Sequence, residues 1–181
     1  MPPRNGSPVS RALTLVLGGA RSGKSAYAEG LVTALPPPWC YIATAQAWDT
    51  EMAERIGEHR ARRAEGWQTL DAPHDLAGAL KALPPGRPVL VDCLTLWLSN
   101  RLLGQADLAT ESAALVEALA AHDGPIVAVS NEVGLSIVPD NALARRFRDA
   151  QGRLNQMVAA RAERVVFTVA GLPLYVKGSA A

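Results

Sequence analysis

The stretch LTLVLGGARSGKSAYAE, residues 13–29, narrows the fold more than any other part of the chain. Five apolar residues run straight into Gly18, Gly19 and Gly23, and the run closes on Lys24 and Ser25 before a series of helix formers. The pattern is G-x-x-x-x-G-K-S between a strand and a helix, the context in which a backbone loop can wrap phosphate oxygens. The glycines permit conformations and close approach that a Cβ blocks. The N–H groups of Gly18, Gly19, Ala20, Arg21, Ser22 and Gly23, with the N-terminus of the helix behind them, are then aimed at an anion. Lys24 reaches the terminal phosphates, and the Ser25 hydroxyl is a ligand for Mg²⁺. A glycine-rich turn of no chemistry would not require both flanking elements.

The rest of the chain repeats the strand–helix alternation. Apolar, β-branched runs lie at 13–17, 39–43, 88–92, 125–130 and 164–169, with helical patterns at 24–35, 49–65, 74–83, 94–103, 109–122 and 140–161. The runs are continuously apolar, as in strands buried on both faces. Alternation of this kind implies right-handed βαβ units, hence an α/β fold with a mostly parallel sheet and helices on both faces. Proline clusters at 36–38 and 84–88 mark helix ends and strand starts. The tail GLPLYVKG, from residue 171, adds a short final strand, possible as an antiparallel partner. No linker is long enough to split the chain, so 13–181 reads as a single nucleotide-binding domain and 1–12 as a flexible N-terminal extension.

Bulk properties exclude several classes. Hydrophobic residues are 49% and charged residues 19% of the 181, a globular profile, and a net charge of +1 gives no global field for nucleic acid or an anionic membrane. No apolar run approaches the ~20 residues of a membrane span, and the polar start lacks the apolar core of a secretory signal. Cys40 and Cys93 sit in apolar runs and read as buried free thiols, which fits a reducing cytoplasm.

A phosphate loop needs an acid at the end of another strand to complete the shell of the metal. Asp92 closes the run PVLVD and fills that description, with helix capping as its plainer reading. Glu132, in SNEVG, either positions a water, a hydroxyl or the metal, or holds a loop.

His59 has unusual company. Met52, Ile56, His59 and Arg63 share one helical face, and Arg55 and Arg62 flank it. Guanidinium groups bind phosphate oxygens and disfavour imidazolium, so His59 reads as a neutral imidazole beside a phosphate, which is a nucleophile. A surface histidine on a solvated basic helix is the alternative. Arg145, Arg146, Arg148 and Arg153 form either a solvated basic face with Asp149 pairing or part of a cleft or subunit contact. Trp48, Trp67 and Trp97 read as packing residues first and as stacking platforms second. His74 and His122 carry no assigned chemistry. These residues alone indicate nucleotide phosphate chemistry and not which reaction; a plain small-metabolite kinase and a non-catalytic nucleotide switch both stand.

Three blocks taken together resemble a known family. They are GGARSGKS at 18–25, YIATAQAWDTEMAERIGEHRARR at 41–63 and SNEVGLSIVPDNALARRFRDAQGRLNQ at 130–156. Their order and spacing are similar to those of the bifunctional adenosylcobinamide kinase / adenosylcobinamide-phosphate guanylyltransferase family of cobalamin biosynthesis, over nearly all of residues 13–177. The resemblance implies a RecA-like P-loop fold, a homotrimer, and ATP and GTP as substrates with Mg²⁺. It implies phosphoryl transfer to the corrinoid adenosylcobinamide, then GMP transfer through a guanylylated histidine with release of pyrophosphate. It places that histidine on His59 and the nucleotide contacts on 18–25, on Ala43, Thr44 and Ala45, on Arg60, Ala61, Arg62 and Arg63, and on Asp71 and Asp92. The chain departs from the family at Ser136, where many relatives carry glycine, and a modest backbone adjustment is expected there.

Overall fold

A computed structural model describes residues 12–46 and 65–180. It contains strands β1 (Ala12–Gly18), β2 (Trp39–Ala43), β3 (Trp67–Asp71), β4 (Val89–Asp92), β5 (Pro125–Asn131), β6 (Arg164–Val169) and β7 (Leu172–Lys177). The helices are α1 (Lys24–Thr33), α2 (Leu76–Lys81), α3 (Leu94–Leu103), α4 (Leu108–Ala121) and α5 (Ala142–Arg161). The seven strands form one sheet in the order β3-β2-β4-β5-β1-β6-β7, parallel except for the β6–β7 hairpin. Ala12 already belongs to β1, one residue earlier than the sequence pattern gave. The helix expected at 49–65 lies outside the described residues apart from Glu65, which sits in a turn.

Sequence patterning anticipated six of these strands and missed β3. WQTLD is short and polar and is mostly exposed, because it is the edge of the sheet rather than its interior. Its signal is an aromatic anchor instead of an apolar run. Trp67 packs on Trp39 with ring centroids 5.4 Å apart, and Gly66, at φ +107°, lets the chain turn closely over the Trp39 ring.

The sheet sorts its side chains by parity. Leu13, Leu15, Ile42, Val89, Val91, Ile126 and Ala128 face one core with Leu76, Leu98, Leu115, Leu154 and Val158 from α2 to α5. Val16, Tyr41, Leu90, Val127 and Val129 face the other, closed among the described residues by Ala28 and Val32 one turn apart on α1. Helices therefore lie on both faces of a sheet whose central strands are mainly apolar and carry polar residues chiefly at their carboxyl ends. Cys40 and Cys93 are both free and buried, but Cys93 is the residue before α3 and not part of a strand.

The chain leaves β1 over one face toward β2 and later returns from β5 across β1 to β6. That reversal is a topological switch between β1 and β5, where open α/β sheets hold ligands beyond the carboxyl ends of their strands.

Leu98 is fully buried on α3. Leu98→Ala should lower unfolding stability by about 2–5 kcal/mol, read from the shift in urea midpoint at constant slope.

Candidate active site

Beyond the carboxyl end of β1 the chain makes the turn that the sequence foretold. Gly23 adopts φ +91° as the residue before α1, and Arg21 also sits in the left-handed region at φ +55°. Both neighbouring strands hold the turn. The Glu132 N–H, just past β5, donates to the Gly18 carbonyl at 3.1 Å, and the Gly171 N–H, at the tip of the β6–β7 hairpin, donates to the Ser22 carbonyl at 2.9 Å. Space is equally restrictive. A Cβ on Gly18 would overlap the Ser22 hydroxyl and the Thr168 carbonyl, and one on Gly23 would come 2.9 Å from the Gly171 Cα. The Lys24 ammonium folds back on its own loop and donates to the Gly19 carbonyl at 3.1 Å. A bound phosphate would compete for that ammonium.

Strand register brings Asp92 to the same face. Asp92 pairs with Val129, which pairs with Val16, so the acid stands two residues below Gly18 with only β5 between their strands. Adjacent strands are about 4.8 Å apart, so β4 and β1 are separated by roughly 10 Å. Val16 and Val129 belong to the core beneath α1, and Asp92 shares their parity, on the side of Lys24 and Ser25. Cys93 reports the same proximity. Burial pushes its thiol up to about 12, the Asp92 carboxylate pushes in the same direction and the Lys24 ammonium opposes it. Asp92 is half-buried, and its Oδ2 accepts a hydrogen bond from the Tyr41 hydroxyl at 2.9 Å.

A buried polar cluster braces the end of β5. Ser130 donates to Asn155 Oδ1 at 2.6 Å, Gln151 Nε2 donates to Ser130 at 2.9 Å, and the Asn131 N–H donates to Thr95 at 2.7 Å. These bonds tie α3, β5 and α5 together where Glu132 leaves the sheet. Glu132 itself accepts from the Gly134 N–H at 2.6 Å, so it holds the loop that follows it.

Other predicted positions fall around this centre. Ala43, Asp71 and Asp92 stand abreast on three neighbouring strands. Thr44 is fully buried and its hydroxyl is engaged with the backbone of Cys93, donating at 2.6 Å and accepting at 2.8 Å, so it locks the β2 and β4 ends together. Ala45 is half-buried beyond it, and Asp71 is exposed. His59, Arg60, Ala61, Arg62, Arg63 and Trp48 lie outside the described residues. On α5, Arg145 donates to the Pro139 and Asp140 carbonyls, and Arg148 pairs with Asp149 at 3.3 Å. Trp97 is buried with its indole N–H on the His74 carbonyl, and Trp67 packs edge-on to Tyr41. Both are packing residues. Ser136 has a negative φ, and its hydroxyl donates to the Val133 carbonyl at 3.3 Å, so serine suits that loop. The sequence reading missed Tyr41, Thr95, Gln151 and Asn155. For Tyr41 and Thr95 the available signal was a polar tip inside a buried apolar run, which demands a partner, whereas Gln151 and Asn155 sit in a polar helix that gives none.

A glycine loop on the central strand, with an acid one strand removed, defines a P-loop nucleotide-binding protein of RecA-like sheet order. The chain belongs to the cobinamide kinase / cobinamide phosphate guanyltransferase family, whose model matches residues 14–176. It is 53% identical over 167 residues to the bifunctional adenosylcobalamin biosynthesis protein CobP of Pseudomonas aeruginosa, covering 91% of this chain and 96% of that one. To CobU of Salmonella typhimurium, also named a bifunctional adenosylcobalamin biosynthesis protein, it is 39% identical over 181 residues, covering 91% and 99%. Among solved structures, the flagellar accessory protein FlaH from Methanocaldococcus jannaschii aligns with a TM-score of 0.52 at 12% identity, covering 96% of this chain and 81% of that one. An ATPase of a bacterial type III secretion system aligns with the same TM-score at 11% identity, covering 87% and 51%. At those identities the likeness is one of fold.

Gly23→Ala meets both a left-handed φ and the hairpin backbone. It should weaken nucleotide binding by about tenfold or more and lower the melting temperature by several degrees. Calorimetric titration with GTP and a thermal scan measure the two effects.

Proposed function

We propose that this chain transfers the γ-phosphoryl group of ATP or GTP to the aminopropanol hydroxyl of adenosylcobinamide and then transfers GMP from GTP to the resulting phosphate. The observation that carries the reading is the Gly18–Ser25 loop facing Asp92 from the strand two places away, in a chain of this family. In the first step the substrate hydroxyl oxygen bonds to the γ-phosphorus, its proton passes to solvent, the bond to the β-bridging oxygen breaks, and the nucleoside diphosphate leaves. The loop N–H groups and Lys24 take up the charge that develops on the phosphate oxygens. In the second step an imidazole nitrogen of His59 bonds to the α-phosphorus of GTP and pyrophosphate departs. An oxygen of adenosylcobinamide phosphate then displaces the imidazole, giving adenosylcobinamide-GDP. Arg60, Arg62 and Arg63 hold GTP phosphates and keep the ring unprotonated.

Ser25 and Asp92 would hold Mg²⁺. Among the described residues no three His, Cys, Asp or Glu side chains cluster as a metal cage. A hydroxyl and one carboxylate suit a cation that keeps waters and takes phosphate oxygens as its other ligands. Such an ion neutralises charge shared between the phosphates. Among the described residues no helix is long and apolar enough to cross a membrane. With two free thiols, we place the protein in the cytoplasm, and from the family resemblance we take it to be a homotrimer of single-domain subunits.

GTP labelled at the α-phosphate should leave an acid-labile, alkali-stable adduct on the wild-type protein and none on His59→Ala. Equal labelling of both proteins sinks the covalent step. Lys24→Ala should reduce kinase and guanylyl transfer together, each by about a hundredfold, the scale of losing one preorganised charge-stabilising donor. Full kinase turnover in that variant would show that the two reactions do not share the cradle.

A further inference from the structure

We propose that Tyr41 is a positioning residue that sets the orientation of the Asp92 carboxylate toward the metal–nucleotide complex. The inference rests on the reading of Asp92 as a metal-shell acid. Tyr41 lies on β2, next to β4, and pairs with Leu90, so Asp92 is its diagonal neighbour two residues on, within reach of an aromatic side chain. Its hydroxyl donates to Oδ2 of Asp92 at 2.9 Å, while the residue is only 4% exposed.

The ring has little freedom. Trp67 stands edge-on to it, with centroids 5.8 Å apart and planes at 79°, and Trp67 in turn packs on Trp39. Tyr41 and Trp39 are buried in the core beneath α1, with Trp67 and Tyr27 packed against that core. A phenol held this firmly fixes the plane of a carboxylate that would otherwise rotate about its terminal torsion. Trp67 of the edge strand β3 thus contributes to the site by supplying the wall behind the phenol.

A buried phenol could satisfy its hydrogen bond on a backbone carbonyl, as the Trp39 and Trp97 indoles do here. Tyr41 instead spends its donor on the strand-end acid facing the phosphate loop. That choice separates positioning from ordinary core satisfaction.

The test is a double-mutant cycle of Tyr41→Phe and Asp92→Asn. The primary readout is the Mg²⁺ concentration needed to bind a non-hydrolysable GTP analogue. The analogue's affinity in EDTA, Mn²⁺ binding by electron paramagnetic resonance and the melting temperature accompany it. Tyr41→Phe keeps the ring and should raise the Mg²⁺ requirement about tenfold, the scale of one hydrogen bond to a charged group, with affinity in EDTA unchanged. In the Asp92→Asn background the same substitution should add nothing. An equal rise in both backgrounds overturns the proposal, as does no rise at all, or a parallel loss of affinity in EDTA. If Asp92→Asn raises the requirement and Tyr41→Phe does not, only the positioning role falls. If Asp92→Asn itself has no effect, the metal assignment falls and the Tyr41 role with it.

Discussion

The turn after β1 is held from both sides, and the site depends on that constraint. A loop whose N–H groups must converge on an anion cannot satisfy them internally, so its shape has to be imposed from outside. Here the imposing groups are backbone atoms. The N–H beyond β5 donates to the Gly18 carbonyl and the N–H at the hairpin tip donates to the Ser22 carbonyl, which fixes two of the loop's acceptors, while inside the loop the Ser22 N–H donates to the Gly19 carbonyl at 3.4 Å. The absence of a Cβ at Gly18 and Gly23 is what lets these neighbours come so near. Preorganisation of this kind moves the ordering cost from binding to folding.

The second layer is polar and buried. Thr95, Ser130, Gln151 and Asn155 form a cluster in an otherwise apolar interior, and Thr44 adds a separate clasp between the ends of β2 and β4. Hydrogen-bonded polar groups in a core add direction where apolar packing adds only area. The strand ends carrying Asp92, Asn131 and Gly18 are thereby fixed relative to one another. The site is assembled from four strands, and these side chains brace their ends.

The phosphate loop, the central strands and Asp92 were legible because each obeys a local rule. Glycine spacing, continuous apolar runs and a terminal carboxylate are visible within a few residues of sequence. The hairpin at the far edge was legible for the same reason, in GLPLYVKG. What stayed hidden depends on register. WQTLD reads as polar chain until Trp67 is seen against Trp39, and Tyr41 reads as one more apolar position until β2 is aligned with β4. The clasp between the Thr44 hydroxyl and the Cys93 backbone likewise shows only once β2 and β4 are aligned. Sequence shows which residues can do chemistry, whereas the alignment of strands decides which of them meet. The cluster around His59 was legible as a pattern of charge, and its placement lies outside the described residues.

Tyr27 on α1 and Tyr175 on β7 share a hydrogen bond of 2.8 Å across 148 positions, alongside the Gly171 contact to the loop. Translation runs from the glycine motif toward the hairpin, so the loop is synthesised well before its outer brace. At ordinary elongation rates the interval is roughly 7–30 s, during which a loop rich in exposed N–H groups has neither its outer brace nor its final shape. A nascent chain that has emerged only as far as the loop has no hairpin to brace it, so the stabilisation that a ligand offers at the loop follows synthesis of residues 171–175.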